Sequence, residues 1–310
     1  MTSISTIDRI IIQDISNLIT AQLDALGLYY RIFWRVKTLS SIEIKINKKK
    51  SHYQETGKKM QDILGIRITV YFIDDEKIAI ELIKSIFEEI KESHSIDRLD
   101  NEQFGPQRCN LVFRLPESMA KQSTLFSHPH IDTTFEVQFR TVFSEGWLEI
   151  EHDLRYKVQD DWAEETTLSR QLNGQFAVLQ SSDWAMLKIF EEFAYSKYKK
   201  GEWSSFFRNI MRIRFVDRSF SSEVHNHIDR NKRIAKELLR VERQELLLPM
   251  KTLTTNIPLK MDSVLFIINR YLLNNSEIKE LEPKLLGAIL DASFLNKSQT
   301  SGHLHKKLTF

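Results

Sequence analysis

Glycine, proline and cysteine are all scarce. The 310-residue chain holds 9 glycines, 6 prolines and 1 cysteine. Ordinary usage of roughly 7% would give about 22 glycines. No two glycines lie closer than eight positions. That excludes a G-x-G-x-x-G turn and a G-x-x-x-x-G-K-[ST] loop, which need clustered glycines to bring backbone against phosphate. Any phosphate bound here must be held by side-chain cations. The shortage also speaks against turn-dense all-β folds. The lone Cys109 excludes an internal disulfide and a cysteine-based zinc site, and fits a reducing cytoplasm. No uncharged apolar run approaches 18 residues, so no helix is expected to cross a membrane. Asp8, Arg9 and Asp14 interrupt the first apolar stretch, which argues against a signal peptide. An excess of one charge is lacking too: 44 Lys+Arg face 42 Asp+Glu, and a net charge of +2 by itself points to no partner.

What is present reads as globular. An apolar fraction of 42% with 28% charged residues supports a real core, in one large domain or two. Ile10 to Leu26 recur at helical spacing and stop at Gly27. Residues 31–67 then carry ten cations against only Glu43, Glu55 and Asp62, so the overall balance hides a basic block. Ile66–Ile73, Asn110–Leu115 and Thr134–Val142 read as strands, the second with Leu111, Phe113 and Leu115 on one face. Helices are expected over Asp75–Glu92, with Asp74 or Asp75 as N-cap, and over Ser144–Tyr156, burying Trp147, Ile150 and Leu154. Beyond Asp160 the patterns are helical: Phe176–Tyr198, Ser222–Leu248, Met261–Leu273 and Ile278–Leu290, with a frayed tail over Ser298–Phe310. The expectation is a mixed α/β unit followed by a helical one.

Three features carry chemistry. In Phe135-Glu136-Val137-Gln138-Phe139-Arg140, strand period two puts Glu136, Gln138 and Arg140 on one face. A carboxylate, an amide and a guanidinium in a row suit a metal, a sugar hydroxyl and a phosphate; a solvated sheet face is the alternative. Arg35 and Lys37 share a face of an extended stretch, with Lys45 and Lys48 three apart on a following helix. They read either as a triphosphate clamp or as a charged helix face. Asp62 and Arg67 flank the entry to the first strand, where the aspartate reads as a Mg²⁺ ligand or a surface ion pair.

Arg35-Val36-Lys37, Ser41-Ile42-x-x-Lys45 and Gln61-Asp62-Ile63-Leu64-Gly65-Ile66-Arg67-Ile68 resemble the opening of a RelA/SpoT-type synthetase domain. Glu136-Val137-Gln138-Phe139-Arg140-Thr141 resembles that family's E-[IV]-Q-[IFL]-R-T strand, and Trp147-x-x-Ile150-Glu151-His152-x-Leu154-x-Tyr156-Lys157 resembles the helix after it. The order holds over about residues 30–160 and is nearest to the short, stand-alone members. The resemblance implies an α/β nucleotidyltransferase-like synthetase core over 1–170 with a helical C-terminal region over 171–310. It implies a cytoplasmic enzyme that moves pyrophosphate from ATP to the 3′-hydroxyl of a guanosine nucleotide, with Mg²⁺ as cofactor. Carried over by position, Arg35 stacks on adenine, while Lys37, Lys45, Lys48 and Arg67 hold ATP. Asp62 and Glu136 bind the metal, and Glu136 activates the acceptor hydroxyl.

The acceptor side departs from the family. Its loop typically reads G-Y-x-S-x-H, and here Gly105-Pro106-Gln107-Arg108-Cys109-Asn110 stands in that place. Pro106 replaces the stacking tyrosine, at a cost of about 1–3 kcal/mol. Phe104, Arg108, Asn110, Gln138 and Arg140 are the remaining acceptor candidates, with Arg98 as a further phosphate contact. Glu145 replaces a small amide and is expected to disfavour a phosphate-rich ligand. Other expected partners are tRNA, if its 3′ end is the acceptor of a toxin or phage-defence effector, an antitoxin or regulator, and a second copy of the chain. A nucleotide-binding regulator without catalysis is the third reading. A hydrolase half is expected to be absent, leaving product removal to another protein. His128/His130, His225/His227 and His303/His305 have metal-like spacing but no further ligand, and Tyr195–Lys200 with Trp203 interleaves aromatics and cations.

Overall fold

The computed structural model describes residues 6–48, 59–91, 95–96, 109–247, 250–251, 253 and 257–292. The chain forms two compact units, one of residues 1–21 and 29–187, the other of 22–28 and 188–310.

The first unit is built on a five-stranded mixed sheet. Helix α1 (Thr6–Ala25) leads into β1 (Tyr30–Val36), α2 (Leu39–Lys48), β2 (Leu64–Val70) and α3 (Ile73–Ile86). Then come β3 (Ser95–Ile96), β4 (Cys109–Arg114), the short α4 (Glu117–Ala120), β5 (Thr134–Thr141) and α5 (Val142–Leu154). Strand order is β1-β2-β5-β4-β3, with β2 and β5 parallel and every other pair antiparallel. Ile66, Ile68, Leu111, Phe113, Phe135, Val137 and Phe139 are buried, so period two gives the sheet an apolar side. The register aligns Arg35, Gly65, Glu136 and Val112 across four strands, and Phe33, Arg67, Gln138 and Asn110 one step along. These rows are the polar side.

Three expectations need correction. The stretch around Arg35 is a full strand, β1, and β3 is a further one, so the sheet exceeds the three strands read from pattern. Helix α3 starts at Ile73 after Phe72, which makes no side-chain cap; Asp74, Asp75 and Glu76 lie in the first turn, where acids favour the helix dipole. It ends at Ile86 rather than Glu92. Phe87 turns out to pack on Phe113 and Phe135, and residues 88–90 hydrogen-bond along β4. In α5 the buried face is Trp147, Leu148 and Glu151, whereas Ile150 and Leu154 are 53% and 64% exposed. Trp147 sets that face: its Nε1 donates to Leu172 O at 2.9 Å and its ring lies 4.9 Å from Phe176. Both partners belong to α6 (Thr166–Lys199).

The second unit is helical: α7 (Trp203–Met211), α8 (Ser222–Arg230), α9 (Arg233–Arg240), α10 (Arg243–Leu247), α11 (Met261–Ile268), α12 (Ser276–Leu281) and a helix over 284–292. The single helix expected over Ser222–Leu248 is three, because each short piece buries its own stripe: Val224 and Ile228, then Ile234, Ala235 and Leu238, then Leu246 and Leu247. Met261–Leu273 loosens into a π-helical turn after Ile268, and the segment expected over Ile278–Leu290 breaks at Pro283. Gly27 has φ +67°, and a Cβ there would meet Leu259 Cδ1 at 2.6 Å, so only glycine fits where α1 ends. The expected tail Ser298–Phe310 lies outside the described residues.

Candidate functional site

The first cluster is built by β1, α2 and the approach to β2. The β1–β2 pairing continues one step, with Lys37 N–H donating to Ile63 O at 2.8 Å, which sets Lys37 beside Asp62. Thr38 opens α2 by accepting from Ser41 N–H at 3.3 Å. Leu39, Ile42 and Ile46 then turn inward on a cluster with Met60, Ile63 and Ile131. That packing fixes the helix over the aspartate and carries Lys45, one turn beyond Ile42, to it. Lys37 Nζ and Lys45 Nζ both donate to Asp62 Oδ2, at 2.6 and 2.7 Å. Asp62 Oδ1 is buried and has no partner among the described residues. Burial alone would push the carboxyl up, but the two lysine hydrogen bonds outweigh it and hold Asp62 below its ordinary value. Burial dominates at Lys37 and lowers its ammonium pKa despite Asp62.

The second cluster joins β2, β5 and α5. Arg67 Nε donates to Gln138 Oε1 at 3.2 Å, and Gln138 Nε2 donates to Glu136 Oε2 at 3.3 Å. Arg67 Nη1 donates to Glu145 Oε1 at 2.8 Å and also to Glu149. Glu145 and Glu149 are four apart on α5, hence on one face. Thr141 and Ser144 form a capping box that fixes the start of this helix, and Thr141 Oγ1 donates to Asp183 Oδ2 at 2.7 Å.

The expected site residues therefore divide. Arg35, Gly65 and Glu136 share one row, and an added Cβ on Gly65 would only touch Arg35 Cγ at 3.6 Å; glycine keeps the sheet surface between Arg35 and Glu136 low. Gln138, Asn110 and Arg67 share the next row. Arg140 is the most buried of its trio, at 7% exposure, and donates to Phe139 O and to Asn110 Oδ1 at 2.8 and 3.2 Å. Lys48 closes α2, but its side chain lies outside the described residues, as do Arg98, Phe104 and Arg108. Glu149 and Asp183 were not singled out from sequence. The spacing to Glu145 could have found Glu149; no local signal marks Asp183.

Among the described residues no three His, Cys, Asp or Glu side chains converge as a metal cluster, and no helix is long and apolar enough to cross a membrane. His130 N–H donates to His128 Nδ1, and His227 Nε2 lies 3.1 Å from Glu277. His303 and His305 lie outside the described residues. Lys197 and Lys199 sit over the rings of Phe193 and Tyr195, and Lys197 pairs with Glu202 at 2.6 Å.

Residues 34–161 match the family model for a region found in RelA / SpoT proteins. A curated relative, the GTP pyrophosphokinase YjbM of Bacillus subtilis (strain 168), is 29% identical over 174 residues, which is 54% of this chain and 77% of the relative. Small alarmone synthetase 1 from Bacillus subtilis bound to its product pppGpp is a similar solved structure, 23% identical, covering 61% of this chain and 95% of that one with a TM-score of 0.49. The same enzyme bound to AMPCPP matches at 23% identity over 59% and 92% of the two chains, with a TM-score of 0.43. Residues 34–161 are thus a RelA/SpoT domain, distantly related to the GTP pyrophosphokinase YjbM.

Proposed function

We propose that the first unit is a Mg²⁺-dependent pyrophosphokinase that moves the β,γ-pyrophosphate of ATP to the 3′-hydroxyl of a purine nucleotide, guanosine first among them, breaking the bond between the α-phosphate oxygen and the β-phosphorus and releasing AMP. One observation carries this reading: Asp62 turns one oxygen to two lysines and keeps the other buried and unpartnered among the described residues. Two ammonium groups converging on one carboxylate suit a polyphosphate. The open oxygen suits a small, hard cation that takes oxygen ligands. Asp62 and Glu136 would hold Mg²⁺, which when bound offsets charge on the reacting phosphates.

The chain's own residues supply the rest. Lys37 and Lys45 grip donor phosphate as point charges, and Lys48 is a further candidate. Arg35, at the low end of the sheet surface beside Gly65, offers its flat guanidinium to adenine. Glu136 is held by Gln138 Nε2 and accepts the proton of the attacking 3′-hydroxyl. Asn110, Gln138 and Arg140, with Phe104 and Arg108, form the acceptor side, Arg140 acting from behind Asn110. No covalent intermediate is needed; positioning and charge do the chemistry.

The test is γ-labelled ATP with Mg²⁺ and GDP, GTP, ATP or deacylated tRNA in separate reactions. Label in a 3′-pyrophosphorylated guanosine nucleotide is the expected result. Label in tRNA alone would replace the acceptor with a nucleic-acid 3′ end. Binding of ATP without transfer to any acceptor would make the chain a nucleotide-sensing regulator and overturn the proposal.

A further inference from the structure

Arg67 is engaged through its Nε and Nη1. Its Nη1 bonds both Glu145 and Glu149, and its Nε bonds Gln138. Two carboxylates on one guanidinium leave surplus negative charge beside the row that holds Gln138. The two glutamates differ in cost of release. Glu149 is half-exposed, so solvent can take it up. The Glu145 side chain is 20% exposed, and its Oε2 is buried with no partner among the described residues. Parting it from Arg67 would strand a largely buried carboxylate, which is costly.

We infer that Glu145 and Glu149 form an anionic latch on Arg67 that competes with nucleotide phosphate for its guanidinium and so sets the nucleotide affinity of the site. The inference rests on the reading of this surface as a nucleotide site. Phosphate reaching for Nη1 must displace Glu149 and then Glu145, and at Nη2 it meets a guanidinium whose charge the two carboxylates already offset. Binding is weaker than the cations of the site would give unopposed, and neutralising the latch tightens it. A purely positioning role for the glutamates predicts the reverse, because a guanidinium without its supports is less well aimed.

The test is calorimetric titration of AMPCPP with Mg²⁺ into the full chain. Glu149→Gln is expected to tighten Kd roughly 2- to 5-fold, the range of a half-exposed ion pair. Glu145→Gln is expected to tighten it by about 10-fold, since its bond to Arg67 is charge-assisted and more buried. In an Arg67→Ala background both gains should vanish. Unchanged or weaker binding in Glu149→Gln, which is exposed enough to fold normally, would overturn the latch while leaving the nucleotide reading intact. Gains that persist without Arg67 would also overturn it, as a general field effect. Absence of saturable binding in the wild type and every variant would overturn the latch and the nucleotide reading together.

Discussion

Around Asp62 two lysines share one carboxylate oxygen; around Arg67 two glutamates share one guanidinium nitrogen. Both clusters stand on the same sheet, five positions apart along the chain. They use the same groups in opposite proportion. In the first, two ammonium groups meet one carboxylate, whose other oxygen is buried. The second has more negative charge than Arg67 can offset. A net charge of +2 over the chain conceals this polarity, because acids outside the basic block, those of α5 among them, offset most of it in the sum. Two adjacent sites of opposite charge proportion can treat one polyphosphate differently, one attracting it and the other releasing it only after exchange.

Changes that break this contrast should scale with how directly each group meets the reacting atoms. The largest effect is expected from Glu136→Gln, which keeps the bond from Gln138 but removes the proton acceptor; single-turnover transfer should slow roughly 10²- to 10⁴-fold. Lys37→Ala and Lys45→Ala each strip one cation from Asp62, and the KM for ATP should rise about 10-fold in steady-state assays. The same pair sets an acid limit. Asp62 is held below its ordinary value, so its stabilising contribution is present above about pH 4 and is lost as pH falls through the depressed pKa. In Lys45→Ala that depression shrinks, and urea melts should show a flatter dependence on pH on the acid side. The smallest effect on chemistry is expected from Thr141→Val. It removes the α5 cap and strands Asp183, and should cost about 0.5–2 kcal/mol in urea melts while α5 still carries both glutamates.

Strands β2, β4 and β5 and the gathering of cations near Asp62 were legible because their signals are local. β-Branched and aromatic enrichment marked β2, alternation marked β4 and β5, and the basic block placed many cations near Asp62 at the strand mouth. What misled was tertiary. The apolar spacing of Ile86 and Ile90 reads as one helix, yet Phe87 drops into the aromatic cluster and ends α3. Ile150 and Leu154 sit at helical spacing with Trp147, but the bond from Trp147 to Leu172 turns α5 to another face. The charge of Glu145 against phosphate is legible in the sequence, but its partnership with Arg67 comes from a crossing of β2 and α5 that no local pattern encodes.

The central claim is that Asp62, with one oxygen on two lysines and one open, is the donor and metal grip of the domain. Titration of AMPCPP in the presence and absence of Mg²⁺, comparing wild type with Asp62→Asn, tests it most directly. Mg²⁺ should tighten binding by the wild type and leave Asp62→Asn unaffected. An equal Mg²⁺ effect on both proteins would contradict the account.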